Sequence, residues 1–144
     1  MENAKLDKFK FSNDFFSQAL TAFFIFFLVY TAGYKALNLQ AFQFNIGRTG
    51  IFSGQYLNVV SYAVILIEAY VIINLLINSR FGVKLYTILM GLFTTYIILL
   101  YYTGRYEVCG CGGILNGLEF KPHLLINVSQ IILGSITMRL NSQK

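Results

Sequence analysis

Four long apolar runs dominate the chain, near positions 15–37, 56–77, 83–102 and 123–140. Each reaches the roughly 20 residues a helix needs to cross a hydrocarbon core about 30 Å thick. Runs this long and continuous read as helices, because a helix satisfies its own backbone groups inside lipid. The pattern predicts an all-α membrane protein, one domain over 1–144, folded as an up–down bundle of four transmembrane helices. Segment 38–55 behaves differently, setting Leu39, Ala41, Phe42, Phe44, Ile46, Ile51 and Phe52 among polar neighbours. It is too polar to cross and too apolar to float, so a short interfacial helix or a re-entrant piece is expected, broken by Gly47, Gly50 and Gly54.

The remaining connections are short or Gly-rich. Residues 1–14 read as a polar, charged tail, and Asn78–Gly82 as a tight turn that makes the second and third spans an antiparallel pair. The loop over 103–122 carries glycines at 104, 110, 112, 113 and 117, which permit tight backbone turns around a small site. Pro122 suits the first turn of the fourth span, where its missing N–H costs nothing. The run from Phe15 to Leu37 is too long for the 7–15-residue core of a signal peptide, and no small-residue cleavage site follows it; a retained span is expected.

Composition strengthens this picture. The 144 residues are 56% hydrophobic and 12% charged, which leaves no room for a separate soluble domain. Tyr30, Tyr34, Tyr56, Tyr101, Tyr102 and Tyr106 cluster near span ends, as an interfacial aromatic belt requires. The net charge of +5 invites a nucleic-acid partner, but its distribution argues for topology instead. Lys5, Lys8, Lys10, Arg80, Lys84, Arg139 and Lys144 fall on one side; Lys35, Arg48, Arg105 and Lys121 fall on the other. Seven against four places both termini in the cytoplasm and the loops 38–55 and 103–122 outside it. The lipid bilayer is the expected partner, and nucleic acid is not.

The candidate chemistry begins with Cys109-Gly110-Cys111, the chain's whole cysteine content. On the non-cytoplasmic side disulfides form and persist. A Cys-X-Cys ring strains the preferred disulfide geometry, although glycine in the middle relieves part of the strain. Strained, exposed disulfides are the labile and catalytic ones, while a structural staple across so short a loop gains little. Redox exchange, metal ligation and an inert pair all remain open at this level. His123 opens the fourth span twelve residues after Cys111. The helix dipole there, with Lys121, Arg105 or a protonated His123, is the kind of surrounding that lowers a thiol pKa. Asn127 and Gln130 follow His123 at i+4 and i+7, so the three share a face that should turn away from lipid. Inter-helix hydrogen bonding is the simpler account of that face.

Glu68 is the second anomaly, an ionisable group deep in the second span. Its insertion costs at least ~2.5–3.5 kcal/mol, which marks it for proton movement, for lining a cofactor cavity or for a hydrogen bond between helices. Ser61 shares its face one heptad earlier.

The segment Cys-Gly-Cys-Gly-Gly-Ile-Leu-Asn-Gly-Leu-Glu-Phe-Lys-Pro-His-Leu-Leu-Ile-Asn, 109 to 127, resembles the MauE family of four-span membrane proteins, itself similar to the wider DoxX group. Lys35, Phe42 and Glu68 also sit where those proteins place a Lys after the first span, a Phe in the first loop and a Glu in the second span. The resemblance implies a bacterial inner-membrane protein associated with redox maturation of exported proteins. It makes Cys109 and Cys111 the redox pair, with His123 and Asn127 their motif companions. The name-giving members are linked to production of methylamine dehydrogenase, whose small subunit is rich in disulfides. Two positions depart from the pattern: Gly112 stands where many members have an aromatic, and Phe120 where they have Trp.

The expected activity is thiol–disulfide exchange with an exported thiol substrate or a thioredoxin-like partner. No second cysteine pair exists to relay electrons, so that partner or a quinone near Glu68 must complete the cycle. Two other readings stand beside it: soft-metal handling, Cu(I) or Zn(II) on Cys109, Cys111 and His123, and a non-catalytic subunit of a larger membrane complex.

Overall fold

The computed structural model describes residues 2–52, 54–106 and 118–142, with residues 2–12 described as backbone alone. Five helices make up these residues: α1 Glu2–Leu37, α2 Leu39–Arg48, α3 Gly54–Ile77, α4 Ser79–Tyr102 and α5 Phe120–Ser142. Four are long and apolar enough to cross a membrane, over Asn13–Leu37, Gly54–Ile77, Ser79–Tyr102 and Phe120–Ser142. Each extends the span read from hydropathy, because polar residues at the interface continue the helix past the point where the apolar run stops. The chain before residue 14 is helical too, rather than a plain tail, as α1 begins at Glu2.

α1 packs against α3 and α5, and α4 packs against the same two, so the four spans close a ring with α2 laid on α3. Buried positions recur every three or four residues: Ser17, Thr21, Phe24, Leu28, Thr31 and Lys35 on α1, and His123, Asn127, Gln130, Gly134, Thr137 and Asn141 on α5. This is the inward seam of a helix bundle. Its character is inverted relative to a soluble bundle, since large apolar side chains such as Phe15, Phe26, Leu66 and Leu125 face outward. In lipid there is little to gain by hiding leucine, so packing and hydrogen bonds between helices must hold the seam. Ser17 Oγ donates to Asn141 Oδ1 at 2.7 Å, which sets the start of the first span beside the end of the last. Further along, Phe24 stacks on Tyr86 at 4.4 Å, and Tyr86 Oη donates to Gln130 Oε1 at 2.7 Å.

Two connections differ from expectation. Asn78 alone separates α3 from α4, not the segment Asn78–Gly82; its Oδ1 accepts from Phe81 N at 3.3 Å and caps α4. So tight a reversal drives α4 onto α3, and a Cβ at Gly82 would lie 2.5 Å from the Leu75 backbone. The segment after α1 forms a helix, as one of the two expectations had it, but α2 is a bent continuation of α1. Asn38 N still bonds Tyr34 O, and Phe42 N bonds Asn38 O, both at 3.0 Å. The bend sits at Asn38 (φ −115°, ψ 42°), whose side chain also donates to Tyr34 O. Gly47 lies inside α2 and breaks nothing; it packs on Leu57 of α3, and the turn falls instead at Gly50, with φ +64°.

The close approach of α3 and α4 generates a stability prediction. Gly82→Ala forces backbone apart and should cost ~1–3 kcal/mol in thermal unfolding in detergent. Gly91→Ala, on the same helix with open space around it, should be neutral or stabilising by up to ~1 kcal/mol. Equal melting temperatures for the two variants would contradict this packing.

Candidate functional site

Lys35 and Glu68 form an ion pair inside the bundle. Lys35 Nζ donates to Glu68 Oε1, and the two side chains are 3% and 0% exposed. Lys35 sits near the end of α1, on the same inward seam as Ser17, Thr21, Phe24, Leu28 and Thr31; Glu68 lies fourteen residues into α3. The ammonium also lies over the rings of Phe93, at 5.0 Å, and Phe42, at 5.7 Å. Aromatic faces stabilise a cation most where water is excluded. The bend at Asn38 makes this arrangement: it sets Phe42 and Ile46 of α2 over the pair as a partial roof. Lys35 is therefore a core residue and not the outer-side loop charge that its position after the first apolar run predicts.

The pair borders a cavity of about 280 Å³ among all five helices. Its walls are mainly Phe27, Phe42, Phe52, Val60, Val64, Met90 and Phe93, with six polar residues converging on it: Thr31, Lys35, Glu68, Tyr96, His123 and Asn127. An apolar chamber with a few convergent polar groups is the general form of a small-molecule site. Two of those groups are incompletely bonded: buried Glu68 Oε2 has no hydrogen-bond partner, and buried Tyr96 Oη has the Thr49 hydroxyl near it but outside hydrogen-bond distance.

The end of the bundle where α4 finishes and α5 begins is tied by two interactions that no local sequence pattern announces. Tyr106 Oη donates to Leu118 O at 2.9 Å and lies 2.9 Å from His123 Nδ1. A phenol has one proton; with it on Leu118, His123 must donate through Nδ1, which leaves the lone pair of the neutral ring on Nε2. Burial pushes the Tyr106 phenol above its ordinary value, so it stays a neutral donor in this contact. Phe120 stacks on Tyr101 at 4.0 Å and meets Tyr106 edge-on at 5.3 Å, which fixes the ring that holds the histidine. Nearby, Arg105 Nη1 donates to Thr49 O at 2.7 Å and latches the turn after α2 to the end of α4.

Among the residues singled out from sequence, Glu68, His123 and Asn127 converge on one cavity. Gln130 shares the buried face but bonds Tyr86 lower in the bundle, and Ser61 bonds its own helix at Leu57 O. Cys109 and Cys111 lie outside the described residues. Among the described residues, no group of three His, Cys, Asp or Glu side chains is placed to hold a metal ion. Lys35, Tyr96 and Tyr106 were not read as site residues. The 3–4 spacing of α1's inward positions reaches Lys35, and that spacing was the available signal. Tyr96 and Tyr106 carry no comparable mark, because Tyr96 reaches the cavity through the packing of α4 and Tyr106 finds Leu118 and His123 across the loop.

Fold and site together define a multi-pass membrane bundle with a buried lysine–glutamate pair at a cavity and a buried histidine on its wall. The chain belongs to the MauE family: the family model described as methylamine utilisation protein MauE matches residues 13–140, nearly the whole chain. No curated protein and no solved structure matches it.

The single histidine makes the Tyr106 contact measurable. In ¹⁵N-histidine-labelled protein in lipid, His123 should show the Nδ1–H tautomer, and Tyr106→Phe should move the Nδ1 resonance and cost ~1–3 kcal/mol of stability. An unchanged histidine spectrum would contradict the Tyr106–His123 hydrogen bond.

Proposed function

We propose that this protein is a thiol–disulfide exchanger of the bacterial inner membrane, acting through Cys109 and Cys111 on exported proteins. The observation that carries the reading is the tie between Tyr106 and Leu118, the residues on either side of 107–117. The cysteine segment therefore begins and ends at His123, beside the cavity that contains the lysine–glutamate pair. Cys109 follows Tyr106 by three residues of chain and Cys111 precedes Leu118 by seven, so both described ends of the cysteine segment adjoin the Tyr106–His123 contact. Catalytic thiols need such a neighbour, a base or cation that favours the thiolate.

In the exchange, a partner thiolate attacks one sulfur of the Cys109–Cys111 disulfide and a mixed disulfide forms. The partner's second thiolate then attacks that bond, leaving the partner oxidised and Cys109 and Cys111 as thiols. Two electrons and two protons have passed to this chain, and a second agent must remove them. His123, with its lone pair on Nε2, can accept one of those protons beside the described ends of the cysteine segment. Asn127, one turn below, orients groups within the cavity.

The charge distribution supports a non-cytoplasmic cysteine loop. With Lys35 in the core, Arg48, Arg105 and Lys121 remain on that side against seven cations on the other. The family's description names methylamine utilisation, and maturation of exported disulfide-bonded proteins is a role that fits within it.

Thiol trapping in intact cells tests the proposal. With only two cysteines in the chain, a Cys109→Ser or Cys111→Ser variant should accumulate a mixed disulfide with an exported protein. The parent chain should be found in both oxidised and reduced forms. Thiols that stay reduced under all growth conditions, with no mixed disulfide in either variant, would overturn it.

A further inference from the structure

The geometry points to the cavity as a binding site for the head group of a membrane quinone. The argument starts from what the bundle leaves unsatisfied. Glu68 Oε1 is bonded to Lys35, whereas Glu68 Oε2 is buried at the cavity without a partner, and so is Tyr96 Oη. Buried polar atoms are nearly always bonded, so two orphans on one apolar chamber mark places where another molecule supplies the missing contacts. The orphans differ in kind: the carboxylate oxygen calls for a donor, and the phenol has a proton to give. A ring with an oxygen on each side, passing between carbonyl and hydroxyl, satisfies both. As quinol it donates to Glu68; as quinone it accepts from Tyr96.

Shape and access agree. The chamber of about 280 Å³ is near the lower end of the range that ligand pockets occupy, a fit for a substituted ring with its tail outside. Phe93 offers a face for stacking. Ile67 of α3 and Leu92 of α4 line the chamber yet are 49% and 62% exposed on the surface of the apolar spans. The mouth between those helices therefore opens toward lipid, the phase in which an isoprenoid tail dissolves. A water-soluble ligand would find no polar entrance there.

The inference rests on the exchange reading for its electrons but not for its binding. Under that reading the quinone is the second agent: the Cys109–Cys111 dithiol loses two electrons and two protons as its S–S bond forms. Both quinone carbonyls take them up to become hydroxyls. The direction of the cycle is then oxidative, from exported dithiols to the membrane pool.

The test uses the full chain in phospholipid nanodiscs with an azido-substituted short-chain benzoquinone. Labelling should be saturable, competed by the unmodified short-chain quinone, and mapped to α3 and α4 near Glu68 and Tyr96. Tyr96→Phe, which removes the donor to the quinone carbonyl, should weaken binding of the quinone severalfold, the worth of one hydrogen bond. Leu92→Trp, a change on an exposed position that leaves the fold intact, should block the mouth and abolish saturable labelling. The Cys109→Ser/Cys111→Ser double variant should bind as the parent does, but only the parent dithiol should reduce the quinone, one per chain. Non-saturable labelling, as expected if phospholipid alone fills the chamber, or labelling indifferent to Leu92→Trp, overturns the site. Saturable binding without thiol-dependent reduction leaves the site standing and removes the exchange reading instead.

Discussion

A lysine and a glutamate held together inside four lipid-spanning helices impose the strongest constraint on this protein. Either side chain alone would carry the insertion penalty of an unpaired polar group in hydrocarbon. Joined, they share that penalty, and the sharing requires α1 and α3 to stay in one register. The bend at Asn38, the roof of Phe42 and Ile46, and the ring of Phe93 all surround the same ammonium. Removing one partner of a buried pair is far more disruptive than replacing both by apolar groups, because it strands a charge. A fold that wanted stability alone had the cheaper option of two leucines. The pair is kept where it borders the cavity.

The rest of the inward surface follows a similar logic. α5 turns His123, Asn127, Gln130, Gly134, Thr137 and Asn141 to the interior and its leucines, isoleucines and valines largely to lipid. Each of three polar members has a partner on another element: Tyr106 for His123, Tyr86 for Gln130 and Ser17 for Asn141. These contacts lie at successive depths and fix α5 against α1 and α4 along its length. At the end of the bundle where α5 begins, the histidine, the cavity and the described ends of the cysteine segment meet.

The span count was legible in the sequence because lipid permits few alternatives to a helix, and the apolar runs have the length of the bilayer. Glu68 was legible for a related reason, as a carboxylate where hydrocarbon tolerates none without cause. Lys35 was not. A lysine at the end of an apolar run ordinarily extends its stem to reach water, and only the partner on α3 draws it inward. The inward stripe of α5 could be read from the i, i+4 and i+7 spacing of His123, Asn127 and Gln130. Tyr106 could not, since its role depends on Leu118 returning to it across the loop. Similarly, the polarity of 38–55 allows a short helix or a re-entrant piece, and the continuation of α2 from α1 through intact hydrogen bonds at Asn38 depends on backbone angles that alternating polarity does not encode.

Charge reversal of the pair tests this account most directly. Lys35→Glu and Glu68→Lys, made singly and together in lipid, would be followed by thermal unfolding. Each single reversal should destabilise the bundle by at least the ~3–5 kcal/mol expected for stranding a buried charge, and the double reversal should recover a large part of that loss. Single variants that unfold at the parent temperature would contradict the pair's place at the centre of the structure.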